Sequence, residues 1–383
     1  MSSIYLDHNA TTPIDPGALD AMLPFLREEF GNPSSAHALG QRAHDAVEQA
    51  RVQVAALIGA QADEIVFTSG GTEASNIAIR GAVARDSSRN AIVTTAIEHP
   101  ATVACCALLE GQGHPIARIR SASDGVVDPE AVAAAINSRT AIVSIIHAQN
   151  EIGTIQPVAQ IAQAARRHGA LVHADAAQSL GKIPFTVDGL GVDLLSIAGH
   201  KVYAPKGIGA LYVRRGLSVA SVLRGAGQES GRRPGTENVA GIVALGEACR
   251  IAARHLEQGT TPMATRTAAL LSRLKRLVPG IVCVGESAAR LPNTLNVLFP
   301  DVSGRRLLQS CPRVLASNGS ACHADSEEPS AILIALGIPR HQALGTVRLS
   351  LGRSTTAQDV EDAAASLAAA WHQMRTSSPI AAE

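Results

Sequence analysis

The run of apolar segments predicts an α/β fold, in which a large domain on a mostly parallel seven-stranded sheet covered by helices is joined to a smaller α+β domain. Short apolar runs recur between residues 65 and 213 with helical periodicity between several of them, and the order of elements changes after a polar break at Gln258-Gly-Thr-Thr-Pro262. Such alternation calls for a largely parallel sheet buried on both faces. The 383 residues suffice for two domains, and 46% hydrophobic residues can fill their cores.

The first fifteen residues read as an extended arm. Asp15 is placed to cap a helix with Pro16 at its first position, and Leu19, Met22, Leu23 and Leu26 share one face before Gly31 stops it. A second helix is expected from His37 to Ile58, with Ala43, Val47, Ala50, Val54 and Leu57 at helical spacing. Strands are expected at 65–69, 91–97, 116–120, 141–147, 170–174, 194–198 and 210–213. After the break come a helix, strands at 281–284 and 294–299, a short helix, a loop holding Cys322, a strand at 346–351 and a last helix. That helix opens with the capping-box-like Thr356-Ala-Gln-Asp359, and Val360, Ala364, Leu367, Trp371 and Met374 form its core stripe. The domains are therefore drawn as 16–258, and 1–15 together with 259–383.

Formal net charge is +0, so composition points neither to nucleic acid nor to an anionic membrane as a partner. No apolar run is long enough to span a bilayer, and the N-terminus lacks a basic region followed by an apolar core, so a cytoplasmic protein is expected. Six scattered cysteines have neither the density of a disulfide scaffold nor zinc-ligand spacing, and no metal site is expected. Cys105, Cys106, Cys249, Cys283 and Cys311 read as small buried hydrophobes.

The chemistry centres on Lys201. The run Asp193 to Ala198 reads as an inner strand and ends in Gly-His-Lys, with Pro205, Gly207 and Gly209 following. A lysine held there must pair, shift its pKa or bond covalently, since burying a lone charge is costly. A second strand ends in Asp175, with Gln178 beyond it, and ligands in parallel sheets gather outside the carboxyl ends of strands. A Schiff-base lysine with an acid partner for a pyridinium nitrogen suits pyridoxal 5'-phosphate. Upstream, Ser69-Gly-Gly71-Thr72 turns from a strand into a helix, offering backbone N–H groups to a phosphate.

The chain resembles the class V aminotransferase-type pyridoxal phosphate enzymes, and within them the cysteine desulfurases of the NifS and IscS kind. The resemblance rests on Tyr5-Leu-Asp-His-Asn-Ala-Thr-Thr-Pro13, Gly31-Asn-Pro-Ser-Ser-Ala-His37, Phe67-Thr-Ser-Gly-Gly-Thr-Glu73, Glu98-His99 and Asn150-Glu-Ile-Gly153. It continues through His173-Ala-Asp-Ala-Ala-Gln178, His200-Lys201, Gly235-Thr-Glu-Asn238, Gly319-Ser-Ala-Cys322 and Val347-Arg-Leu-Ser-Leu-Gly-Arg353. It implies a fold-type I enzyme with Lys201 bonded to the cofactor, His99 stacked on its ring and Asp175 on its nitrogen. Asn150 and Gln178 would face the phenolic oxygen, while Gly71, Thr72 and His200 would hold the phosphate. It also implies a homodimer in which Thr236 reaches the neighbouring subunit's phosphate.

By the same resemblance, Arg348 and Asn150 grip the carboxylate of L-cysteine and Lys201 removes its α-proton. Cys322, in a polar loop beside His323, attacks the substrate sulfur, releasing alanine and leaving a persulfide for an acceptor protein that the sequence does not identify. Two departures stand out. Ala198 replaces the Ser or Thr usual two residues before His-Lys, removing a hydroxyl donor to the phosphate. Ala321-Cys322-His323-Ala324-Asp325 is similar to the loop of selenocysteine lyases, which makes L-selenocysteine a rival substrate. A scaffold that kept the fold and lost the chemistry does not explain intact Lys201, Asp175, His99, Cys322 and Arg348, and a transaminase or decarboxylase does not explain Cys322.

Overall fold

The computed structural model describes residues 3–319 and 328–377. Its strands in chain order are β1 (Ile4–Tyr5), β2 (Ile65–Thr68), β3 (Ala91–Thr95), β4 (Ile116–Ile119), β5 (Thr140–Ile146), β6 (Leu171–Asp175), β7 (Leu194–Ala198) and β8 (Gly209–Val213). Then follow β9 (Val282–Cys283), β10 (Thr294–Leu298), β11 (Val314–Leu315) and β12 (Thr346–Ser350). The main sheet has seven strands in the order β2-β8-β7-β6-β5-β3-β4. Only β8 runs against its neighbours. The reason is the short link from Ala198 to Gly209, which are register partners. A parallel return needs a crossover of a dozen or more residues, so this link can only fold back. Lys201 lies inside it.

The sheet is buried on both faces, as its unbroken apolar strands require: β2, β3, β5, β7 and β8 are buried at every position. A second hydrophobic centre gathers around the antiparallel sheet β12-β10-β9, where Leu270 and Leu274 of helix Thr261–Leu277 meet Val360, Ala364, Leu367 and Trp371 of the last helix. That helix, Ala357–Ser377, is capped reciprocally by Thr356 and Asp359, as the sequence suggests. The N-terminal arm joins the two centres. It pairs β1 with β11 in parallel, and Asn9 N–H donates to Ser350 Oγ at 2.9 Å. The β1–β11 pair is absent from the sequence reading because two-residue strands carry no periodicity.

The first helix corrects the sequence reading. Helix α1 (Pro16–Arg27) is capped by Asp15 as expected, yet it ends before Gly31, and Leu19 and Leu26 are 40% and 60% exposed. Its buried face is small: Ala18 is fully buried, and an added Cβ on Gly17 would lie 3.1 Å from Ile251 Cδ1 on helix Val239–Glu257. Close helix approach, rather than a leucine stripe, seats it. Gly31 serves a different purpose, since a Cβ there would come within 2.3 Å of the Leu39 carbonyl oxygen. Helix α2 (Ala38–Ile58) follows, capped by His37 Nδ1 on the Gly40 N–H.

An ion pair fixes the strand that carries the glycine turn. Arg51 of α2 forks onto both carboxylate oxygens of Glu229 at 2.8 and 2.9 Å, and Glu229 also accepts from the Phe67 N–H of β2 at 2.8 Å. Their side chains are only 11% and 3% exposed. Arg51 keeps Glu48 at 3.1 Å and the Ile65 carbonyl oxygen at 2.9 Å, so Glu229→Ala should lower unfolding stability by about 1–3 kcal/mol, chiefly the cost of leaving the Phe67 N–H without its acceptor, read as a shift in denaturant midpoint. No helix among the described residues is long and apolar enough to cross a membrane.

Candidate active site

Parallel strands deliver their functional residues at their carboxyl ends, where this architecture places ligands. Thr68 ends β2 just before the glycine turn, His99 follows β3, Asn150 follows β5, Asp175 ends β6 and Lys201 follows β7. Arg348 comes from the other sheet, on β12. The turn after β2 opens helix α3 (Gly71–Val83). Gly70 has φ +155°, a backbone region that favours glycine, and a Cβ on Gly209 would lie 2.7 Å from Gly70 Cα. Glu73 closes the turn by accepting from the Ser69 N–H at 2.5 Å and pairing with Arg233 at 2.9 Å.

Lys201 ends a short turn, Gly199–Lys201, in which a Cβ on Gly199 would strike the Ile208 carbonyl oxygen at 2.7 Å. Its Nζ donates to the carbonyl oxygens of Asn9 at 2.5 Å and Ala10 at 2.7 Å. Burial brings the ammonium down to about 8, Arg348 pushes it the same way, and Asp7 and Asp175 oppose. The free amine is thus accessible near neutral pH. Capture of pyridoxal phosphate by cofactor-free protein should accelerate with rising pH to a plateau, because only the neutral amine attacks an aldehyde. Its midpoint should fall near 8, far below that of an ordinary lysine, as rapid-mixing absorbance would record.

Asp175 is deeply buried and accepts from the Ala177 N–H at 2.9 Å, with no ion pair among the described residues. Burial raises its pKa, while His99, that backbone donor and Lys201 pull it down. A carboxylate so placed lacks a counter-cation. His99 caps helix α4 (Pro100–Gly111), and its Nδ1 accepts from the Ala101 N–H at 3.1 Å. Burial lowers its pKa, so the ring is neutral with its proton on Nε2. Behind it, burial lifts Glu98 to about 8, and its Oε2 has no partner among the described residues.

The Gly70-Gly71-Thr72 turn, His200, Thr11 and Lys206 line a cleft of about 520 Å³. His200 Nδ1 lies 3.2 Å from Thr11 Oγ1, and burial lowers its pKa to about 4, leaving a neutral ring. Ala198 faces this cradle: a Cβ on Gly71 would stand 3.2 Å from its methyl group. Thr236 is exposed in the stretch before helix Val239–Glu257 and does not line the cleft of its own chain.

Arg348 donates from one terminal nitrogen to Asp7 at 2.7 Å and from the other to the Asn150 carbonyl oxygen at 3.2 Å, leaving Nε buried without a partner among the described residues. Gln178 donates to the Asn9 carbonyl oxygen at 2.9 Å. The Asn150 side-chain oxygen accepts from Gln149 at 3.3 Å. Cys322 and His323 lie outside the described residues, but both flanks of their segment are tied here. Ser317 and Arg348 exchange backbone hydrogen bonds, and Ser330 Oγ donates to Glu151 at 2.5 Å. The other five cysteines are buried, as their sequence context suggests.

Sequence reasoning overlooked Asn9, Asp7, Lys182 and Lys206. Asn9 is the hub: its carbonyl oxygen takes Gln178 and Lys201, its amide nitrogen reaches the Asn150 carbonyl oxygen and Thr294, and its amide oxygen accepts from Lys182 and Asn293. Its only signal was its place in the Tyr5–Pro13 motif.

The donor set suits pyridoxal phosphate: a glycine cradle for a dianion, a depressed lysine for an aldehyde, and a buried acid without a cation for a pyridinium. Residues 4–362 match the model of the family described as aminotransferase class-V. The cysteine desulfurase of Gluconacetobacter diazotrophicus is 46% identical over 365 residues, covering 94% of this chain and 91% of that protein. The cysteine desulfurase IscS of Dictyoglomus turgidum is 40% identical across 98% of this chain and 96% of its own length. Among solved structures, a NifS-like protein superposes with a TM-score of 0.89 at 35% identity, covering 98% of this chain and all (100%) of that one. The structure described as SspA in complex with cysteine superposes with a TM-score of 0.80 at 35% identity, covering 91% and 99%.

Proposed function

We propose that this chain, which belongs to the class-V aminotransferase family and within it to the cysteine desulfurases, moves the sulfur of L-cysteine onto Cys322 and releases L-alanine. The observation that carries the reading is Lys201, brought down by burial and held on the Asn9 and Ala10 carbonyl oxygens at the strand ends, with both ends of the Cys322 segment anchored at Arg348 and Glu151.

Family membership implies pyridoxal 5'-phosphate. When bound, it supplies an aldehyde for an amine and a ring that draws electrons from the α-carbon. Lys201 would hold it, Asp175 would meet its nitrogen, and His99 would cover its ring. Gln178 and Asn150 would face its phenolic oxygen, and Gly71, Thr72 and His200 would cradle its phosphate. In the reaction, Arg348 and Asn150 orient the substrate carboxylate, for which the unpaired Nε of Arg348 is a ready donor. Lys201 takes the α-proton, and the N–H at His99 Nε2 is a proton source near the departing group. Cys322 Sγ bonds to the substrate sulfur as that sulfur leaves its carbon, so one L-cysteine and one thiol give one L-alanine and one persulfide.

Residues 16–258 are taken as the large domain, and 1–15 with 259–383 as the small one. The exposure of Thr236 outside its own cleft supports its service to a second subunit of a homodimer. The persulfide then passes to an acceptor protein.

The test is alanine and sulfide release from L-cysteine beside alanine and selenide release from L-selenocysteine. Turnover of cysteine supports the reading; turnover of selenocysteine alone makes the protein a lyase for that amino acid; bound cofactor without either product leaves a scaffold. The cradle gives a further expectation. Ala198→Ser restores a hydroxyl beside Gly71, and one charge-assisted hydrogen bond of about 1.5–3 kcal/mol should tighten cofactor binding roughly tenfold to a hundredfold. Equilibrium dialysis would measure it, and an unchanged constant would show that the cradle already satisfies the phosphate.

A further inference from the structure

Lys182 is an amine inside the site whose recorded partners are neutral. Its Nζ donates to Gln178 Oε1 at 2.7 Å and to Asn9 Oδ1 at 3.0 Å, and no carboxylate lies within ion-pair distance of it among the described residues. Burial first, then the cations Lys201 and Arg348, hold its pKa well below that of an ordinary lysine, and the imidazoles of His8 and His200 feel it in turn. Keeping a lysine there costs stability, and a Leu or Met would fill the space without that cost. What its Nζ does that an apolar chain cannot is donate to one edge of an amide. An amide has an acceptor edge and a donor edge of nearly the same shape, and a neighbour that donates favours the turn that presents the oxygen to it.

Both amides in contact with Lys182 belong to the site. With its oxygen on Lys182, Gln178 turns its nitrogen inward, where one hydrogen reaches the Asn9 carbonyl oxygen that Lys201 also uses. With its oxygen on Lys182 and Asn293, Asn9 turns its nitrogen to Thr294 and to the Asn150 carbonyl oxygen that Arg348 also uses.

We propose that Lys182 is a positioning residue that locks the amides of Gln178 and Asn9 with their donor edges toward the reacting groups, so that Gln178 offers a hydrogen to the phenolic oxygen of the cofactor. The assignment rests on the pyridoxal phosphate reading of the site. Without Lys182, the Gln178 oxygen loses its donor, only the Asn9 carbonyl oxygen still favours the inward turn of the nitrogen, and the hydrogen offered to that anionic oxygen is held less firmly.

The experiment records the pH at which the absorbance of bound pyridoxal phosphate changes, in holoenzyme, for wild type, Lys182→Met, Gln178→Leu and the double variant. A hydrogen donated to the phenolic oxygen weakens the hold of the bound group on its proton, so losing that donor raises the transition. Lys182→Met should raise it by about one unit. In the Gln178→Leu background the same change should have less than half that effect, because the amide through which Lys182 acts is gone. Lys182→Gln keeps an N–H donor without the charge, and should leave the transition near the wild-type value even if Lys182→Met does not fold. Equal shifts in both backgrounds, no shift at all, or a Lys182→Gln variant displaced upward by a full unit would overturn the proposal. A wild type with a pH-responsive band that makes no alanine fails the desulfurase reading alone. A wild type that takes up no cofactor fails the cofactor reading and this proposal with it.

Discussion

Lys201→Ala should lower alanine release from L-cysteine by about four orders of magnitude or more, since one side chain is asked both to hold the cofactor and to move the α-proton. The protein should still fold, because Nζ makes its hydrogen bonds to two backbone carbonyls, Asn9 and Ala10, and the surrounding turn is set by Gly199 and Ile208. Cofactor should still enter the cradle at Gly71 and Thr72, but gel filtration should strip it, because no covalent link remains. Added methylamine should return part of the lost rate by supplying a small amine in the vacated space. Retention of normal turnover would mean that another group carries the proton.

Cys322→Ser should lower sulfur transfer by roughly a thousandfold or more while leaving cofactor content and absorbance as in wild type. The contrast with Lys201→Ala is diagnostic: one variant loses the bound group, the other keeps it and loses the sulfur acceptor. Three of the remaining described cysteines are held as thiols. Burial holds Cys105, Cys106 and Cys249 at about 11, 12 and 12, so each stays a thiol at neutral pH. Mass spectrometry after one turnover should find the extra sulfur on Cys322 in wild type and on no residue in the variant.

Much of this site was legible because its members end strands. Asp175 and Lys201 close apolar runs whose composition identifies them as inner strands of a parallel sheet, and the sheet order then brings them together. The motif at Gly71 is a local turn, and local turns are written in local sequence. What escaped notice has a common cause. Asn9 meets Asn150, Lys201 and Asn293 across 141 to 284 residues of chain, and no periodicity within the arm encodes those contacts. Lys182 sits four residues beyond Gln178 in an irregular turn, where a lysine ordinarily reads as a solvent-facing residue. The face of α1 was misjudged for a different reason: leucines mark a buried stripe only when the partner surface is far enough away to need them, and Ala18 and Gly17 let the neighbouring helix come closer.

The arm has a consequence for how this protein is made. Residues 4–9 leave the ribosome long before Arg313, Leu315 and Ser350, which are among their recorded partners. The main sheet can close, and the Asn9 carbonyl can meet Gln178 and Lys201, before the Ser350 hydroxyl arrives to fix the Asn9 N–H, so the arm is fully seated only once Ser350 has emerged. A truncated chain ending before residue 346 would hold a formed sheet and an unfinished site.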